Sequence, residues 1–234
     1  WVGISAGLML YRTSNALIPA AGFMVAVIMM GFAHGTSQLD PQITPLVPVL
    51  KSYWLIVHVA IIVSSYGFFA LSMIIAVICL LFYIIADKKS YEEHNGVSLK
   101  ELTIVSEMSL TIGLFALVVG VFLGGVWANE SWGRYWGWDP KETWAYVSIV
   151  VYALVIHLRF VKSLNTPYVL ATASLLAFSS IMMTYLGVNF YLSGMHSYAT
   201  GDPVPIPMWA YLTVATAFAA IILAYKNRDL KNID

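Results

Sequence analysis

Apolar runs about twenty residues long, separated by short charged or turn-rich stretches, recur along the whole chain. Crossing a hydrocarbon core of about 30 Å takes about 20 residues of helix. Six runs meet that length: Asn15 to Ala33, Tyr53 to Ala86, Glu107 to Trp127, Glu142 to Val161, Thr166 to Tyr191 and Pro207 to Tyr225. The second is long enough to tilt or to project beyond a bilayer. The apolar stretch before Arg12 reads as the tail of a further helix, so the chain is expected to be part of something longer. No segment alternates with the period of a strand, and in lipid only helices and closed barrels satisfy their backbone. The predicted fold is therefore all-α, a polytopic transmembrane bundle of about six to seven helices forming a single domain over residues 1–234.

Composition agrees. Of 234 residues 60% are hydrophobic and 10% charged, with a mean hydropathy of +0.79, outside the range of soluble domains. Twelve basic and twelve acidic residues cancel, and no basic recognition helix is present, so nucleic acid is not an expected partner and membrane lipid is. The single cysteine, Cys79, lies within an apolar run, which excludes an internal disulfide and a CxxC redox pair. There is no internal repeat and no phosphate-cradling glycine-rich loop.

Charge is informative by position. Arg12, Lys88, Lys89, Lys100, Arg159, Lys162, Lys226, Arg228 and Lys231 fall on one side of the predicted bundle, against Lys51, Arg134 and Lys141 on the other. The positive-inside rule makes the first side cytoplasmic. The loops "HGTSQLDPQITPLVPVLKS" and "SGMHSYATGDPVPIP", with the tryptophan-rich stretch between Trp127 and Trp144, are then external, while "DKKSYEEHNGVSLKELT" is a solvated cytoplasmic connector. Gly120, Gly124 and Gly125 have the small-residue spacing of closely packed membrane helices.

Five of the eight tryptophans, Trp127, Trp132, Trp136, Trp138 and Trp144, fall within "WANESWGRYWGWDPKETW". One indole at an interface is an anchor, as expected of Trp54 and Trp209. Five in eighteen residues, with Gly133 and Gly137 to permit unusual backbone angles, suit a platform for a large planar apolar molecule. Asp139-Pro140 has the form of a helix start, with Asp139 as N-cap.

Of five histidines, His94 sits in the charged connector and His34 at an external helix end, where solvation or interfacial roles suffice. His58, His157 and His196 lie in or beside apolar surroundings, where an ionisable group is costly and points to function. His157 falls roughly 22 Å along its helix from the tryptophans at about 1.5 Å per residue. His58 and His196 fall at the level of the tryptophans, and two imidazoles over an aromatic floor would make an axial pair for haem iron.

The segment "WGRYWGWDPKETWA" resembles the tryptophan-rich WWD signature of the haem-handling proteins of cytochrome c biogenesis, specifically the CcsA/ResC branch of the System II cytochrome c synthases. The contexts "SYWLIVHV" at His58, "HLR" at His157 and "GMHSY" at His196 are similar to that branch as well. The resemblance implies a chain that exports haem b and presents it outside for thioether attachment to the CxxCH motif of an apocytochrome c, a holocytochrome c synthase (haem lyase) activity exercised together with a CcsB/Ccs1-like partner or fused portion. It implies His58 and His196 as external iron ligands, His157 as an inner one, and Trp127, Trp132, Trp136, Trp138, Asp139 and Trp144 as residues of the haem-binding segment. For the nearby cations Arg134 and Lys141 two readings stand, pairing with haem propionates and ordinary interfacial solvation. The implied location is a bacterial cytoplasmic or plastid thylakoid membrane, with the tryptophan segment periplasmic or lumenal. The competing readings are a System I haem-delivery protein of the same superfamily without synthase activity, and a small-solute transporter using His157 as a proton relay, for which broken helices and paired repeats would be expected.

Overall fold

The computed structural model describes residues 17–35, 52–85, 96–196 and 205–228. The predicted helix tail before Arg12, the loop preceding Ser52 and most of the charged connector lie outside these residues, as do His94 and the side chain of His34. Among the described residues six helices follow in order: α1 (Leu17–Gly35), α2 (Tyr53–Ile85), α3 (Gly96–Trp132), α4 (Pro140–His157), α5 (Pro167–Tyr191) and α6 (Met208–Tyr225). A 3₁₀ turn, Leu158–Phe160, extends α4, and α5 runs as α-helix to Met182, as π-helix over Met183–Gly187 and as α-helix again to Tyr191. No strand occurs among the described residues. α2 to α6 are each long and apolar enough to cross a bilayer, and the chain is an all-α, multi-pass membrane bundle.

The central pair is α2 and α3. Lipid offers no hydrophobic drive for helices to associate, so close van der Waals contact and interhelical hydrogen bonds hold them. Small residues let the backbones approach: a Cβ at Gly120 would stand 2.5 Å from Ile62 Cγ1, and one at Gly113 would stand 2.9 Å from Phe69 Cε1. Ser72 and Ser106, both buried, share a hydrogen bond of 2.8 Å across the pair. Phe69 stacks on Tyr152 of α4 at 3.7 Å between ring centroids, tying α4 to the same core. α5 packs on α2 and α4, while α1 and α6 lie against α2. Much of α1 and α6 faces outward with exposed Met30, Phe23, Phe218 and Ile222, as expected of lipid-facing helices.

α3 begins eleven residues before the predicted Glu107, because Leu99 and Leu102 continue its buried stripe through a charged stretch. The tail of the supposed solvated connector is therefore helix. At its other end α3 runs five residues past the predicted Trp127, so Trp132 too belongs to the helix.

Candidate functional site

Seven residues, 133–139, turn the chain from α3 into α4. Gly133 takes a left-handed conformation (φ +71°) and its N–H caps the Asn129 carbonyl at 2.9 Å, which ends α3. The second left-handed residue is Trp138 (φ +56°), not Gly137 as expected from the sequence. Gly137 serves another purpose, since a Cβ there would occupy the place of the Arg134 guanidinium. Asp139 then caps α4. Its Oδ2 accepts from the Lys141 N–H at 3.2 Å, Glu142 Oε2 accepts from the Asp139 N–H at 3.2 Å and the Gly137 N–H at 2.8 Å, and Pro140 opens the helix.

The cap also reaches another part of the chain. Asp139 Oδ1 accepts the Met195 N–H, and His196 donates Nδ1–H to Asp139 Oδ2 at 2.9 Å. The predicted cap is thus also the carboxylate that holds His196. The chain at Gly194 passes so close that a Cβ there would overlap Asp139 Oδ1. Burial works against ionisation of Asp139, but the hydrogen bonds from His196, Met195 and Lys141 outweigh it and hold the carboxyl below its ordinary range. Burial likewise dominates at His196 and lowers its proton affinity, with Asp139 and Glu142 pulling only partly back. A neutral imidazole whose Nδ1–H is held by a carboxylate leaves the Nε2 lone pair for a ligand-binding role.

His58 stands in the second turn of α2, buried, and donates Nδ1–H to the Trp54 carbonyl at 3.0 Å. Its Nε2 is the free nitrogen as well. Gly124 of α3 makes room for the ring, its missing Cβ lying 3.4 Å from His58 Cδ2. Between the histidines sits Trp127, 1% exposed: its ring stacks on His58 at 5.3 Å and contacts His196 at 5.5 Å. Trp132 meets Trp127 and His196 edge-on, each at 4.7 Å.

His58, His196 and Trp127 line one cleft of about 210 Å³, with Trp136, Gly124, Lys141 and, from the π-helical turn of α5, Thr184 and Tyr185. π-helical turns recur at functional sites because they displace side chains from the regular helical track. Trp138 is 68% exposed and meets Trp136 edge-on at 5.7 Å. Trp144, inside α4, is not among the residues lining the cleft. The platform of five indoles is thus graded: Trp127 and Trp136 form wall, Trp132 braces His196, Trp138 stands at the rim and Trp144 lies apart.

His157 closes α4 at the opposite end, exposed, some 25 Å from Pro140 at 1.5 Å per residue. It donates Nδ1–H to the Ala153 carbonyl at 2.7 Å and contacts Phe160 at 5.6 Å. Among the described residues no three His, Cys, Asp or Glu side chains group into a metal site at either end, and the two-histidine arrangement suits a metal that brings its own equatorial ligands. Tyr66, Thr184, Tyr185 and Gly194 carry no local sequence signal; only the fold brings them to the site.

A multi-pass helical membrane protein with two Nε2-free histidines flanking a buried tryptophan at one end is the class these features define. The chain belongs to the family of the cytochrome C assembly protein, whose model matches residues 1–196. It is 48% identical over 234 residues to protein NrfI of Wolinella succinogenes, matching 100% of this chain and 26% of that protein. It is 34% identical over 223 residues to the cytochrome c biogenesis protein CcsA of Trieres chinensis, with 80% of this chain and 70% of that protein covered. The corresponding protein of Guillardia theta is 35% identical over 208 residues, with 80% and 68% covered. The chain thus spans about a quarter of the length of NrfI and over two thirds of these CcsA proteins.

Proposed function

We propose that this chain receives haem b at the His157 end, and presents it at the His58–His196 cleft for attachment to the CxxCH motif of an apocytochrome c, as a System II synthase acting with a CcsB/Ccs1-like partner. The observation that carries the reading is the shared geometry of His58 and His196: each has Nδ1–H committed to an acceptor, each leaves Nε2 open, and both contact Trp127. The cap on α4 supports it, because Asp139 holds the His196 segment against the mouth of the cleft.

The chain's own work is positioning. Ligation by two imidazoles fixes the substrate and leaves iron no open site, while Trp136 and Trp127 offer flat walls. A cleft of about 210 Å³ seats part of a porphyrin, which leaves an edge at the mouth within reach of a second protein's thiols. Thioether formation adds each cysteine S–H across a haem vinyl group, so atoms balance without an acid or base from this chain. Held together, the reactants gain the advantage of proximity. The positive-inside distribution of Lys and Arg supports a cleft that opens on the external or lumenal side, with His157 toward the cytoplasm or stroma.

The test is haem attachment to a CxxCH-containing acceptor by the complete complex carrying His58→Gly or His196→Gly. Attachment should fall and be restored by added imidazole, which replaces the missing ligand. Full attachment by both variants without imidazole contradicts the reading.

A further inference from the structure

At the level of the cleft, α5 leans toward α4. α2 packs closely on α5 along Pro167–Met182, whereas the π turn Met183–Gly187 and the segment Val188–Tyr191 pack on α4. Two hydrogen bonds hold them there: buried Thr184 Oγ1 shares one of 3.1 Å with Ser148 Oγ, and Lys141 Nζ donates one of 2.8 Å to Asn189 Oδ1. The result is a slot between α2 and α5 beside the cleft. Val59 and Val63 of α2 and Tyr185 of the π turn line the cleft, yet they are 41%, 51% and 37% exposed. All three lie within long apolar helices, so the surface they expose faces lipid tails rather than water. From Val59 to Tyr66, the deepest α2 residue of the cleft, the slot runs about 10 Å along α2 at about 1.5 Å per residue.

A second observation closes the other route. About one turn beyond Tyr66 and Thr184, the space among α2, α3, α4 and α5 is filled. Phe69 stacks on Tyr152 at 3.7 Å, and Leu110, Leu117 and Ile181 pack around them, each no more than 3% exposed. A flat macrocycle could pass from His157 to the cleft inside the bundle only by separating four closely packed helices.

We propose that the cleft is loaded from the side: its ligand enters from the bilayer leaflet beside it, through the slot between α2 and the π turn of α5. This rests on the haem reading, under which the ligand is a flat, largely apolar porphyrin that dissolves in lipid. It then travels from the His157 end along the lipid-facing surface rather than through the bundle. Val63 and Tyr185 set how fast the ligand comes and goes, whereas His58 and His196 set how tightly it is held.

The experiment follows haem loading into, and release from, the complete complex in nanodiscs, in a His157→Ala background so that the cleft is the site being read. The Val63→Cys variant is folded first and then modified with a bulky disulfide-forming reagent, which a thiol later removes; Cys79 is buried and stays unmodified. The modified variant should load and release haem about tenfold or more slowly, with affinity unchanged because both rates fall together. Removing the label should restore both rates in the same molecules, which separates a blocked slot from a misfolded variant. The same label on Val118→Cys, exposed on α3 and away from the cleft, should change neither rate, and the reagent should have no effect on the complex without an added cysteine. Unchanged rates in labelled Val63→Cys overturn the side entry and leave the haem reading intact. Weaker binding through faster release, with loading unchanged, makes Val63 a contact within the cleft and equally overturns the side entry. An unlabelled complex that binds no haem overturns the haem reading and, with it, this one.

Discussion

Asp139 Oδ2 lies 2.9 Å from His196 Nδ1, across 57 residues of sequence, and the same carboxylate caps α4. The start of a helix and the orientation of a histidine are therefore one structural unit. Any change that loosens the cap loosens the candidate ligand, and the predictions below exploit that coupling.

Asp139→Asn keeps a residue able to cap and removes the charge that orients His196. Loss of such a carboxylate behind a metal-binding histidine costs about 10–100-fold in affinity. Haem retained by the purified complex should fall accordingly, while circular dichroism shows the helices unchanged. Undiminished haem would mean that Asp139 serves the cap alone.

Acid should empty the cleft. His196 is depressed in the fold chiefly by burial, and Asp139 is depressed because its hydrogen bonds outweigh its burial. A group with a lowered folded pKa stabilises the fold above its ordinary value and loses that contribution as pH falls through the lowered one. Both groups therefore favour the intact site at neutral pH, and the imidazole becomes protonated only below the ordinary histidine range, near 6.5. Removing the charge in Asp139→Asn takes away a partner that raises the pKa of His196, so its transition should move to still lower pH. Ring resonances of His196 followed by NMR against pH check the sign; an upward move contradicts it.

Gly194→Ala should mimic the loss of Asp139 without touching a titratable group. The added methyl meets Asp139 Oδ1, and the backbone carrying Met195 and His196 must move away. Overpacking of this kind typically costs about 1–3 kcal/mol. The expected result is lowered haem affinity with a lowered melting midpoint, read by thermal unfolding and haem titration. Gly31→Ala, inside α1 where the added carbon meets nothing within 4 Å, is the control: haem affinity should not change and the melting midpoint should hold or rise, since Ala favours a helix interior over Gly.

Trp138 holds a left-handed conformation that costs a non-glycine residue about 1–2 kcal/mol, yet its side chain is 68% exposed and packs little. Trp138→Gly should leave the melting midpoint unchanged or higher and slow haem transfer to a CxxCH acceptor. A midpoint lowered by several degrees would make the indole a structural anchor instead.

His157→Ala acts at the far end of α4. Haem acquired in cells should drop, the absorption spectrum per bound haem should stay the same, and haem added to the external face of proteoliposomes should restore occupancy. A changed spectrum per haem would mean that His157 shares the outer site.

Much of this architecture is legible in the sequence because lipid imposes a simple rule: a long apolar run must be a helix. The boundaries of α2, α5 and α6 follow from it closely, and Asp139-Pro140 marks the start of α4 through capping chemistry that needs no tertiary information. The early start of α3 was hidden because Lys100 and Glu101 interrupt the run, although Leu99 and Leu102 already carry its buried stripe. The clustering of Trp127, Trp132 and Trp136 near His58 and His196 was foreseeable from level in the membrane alone. Their ranking was not, since whether an indole is wall, brace or rim depends on where α3 ends. The Asp139–His196 bond, the π-helical turn that brings Thr184 and Tyr185 to the cleft, and the close passage at Gly194 depend on pairing segments far apart in the chain, and no local pattern encodes them.

The central claim is that His58 and His196 together hold haem iron, and the reduced optical spectrum of the complex tests it most directly. The wild type should give a low-spin spectrum of two imidazole ligands, and His58→Ala and His196→Ala should each lose or weaken it. A wild type without haem, or a spectrum indifferent to both substitutions, would contradict the account.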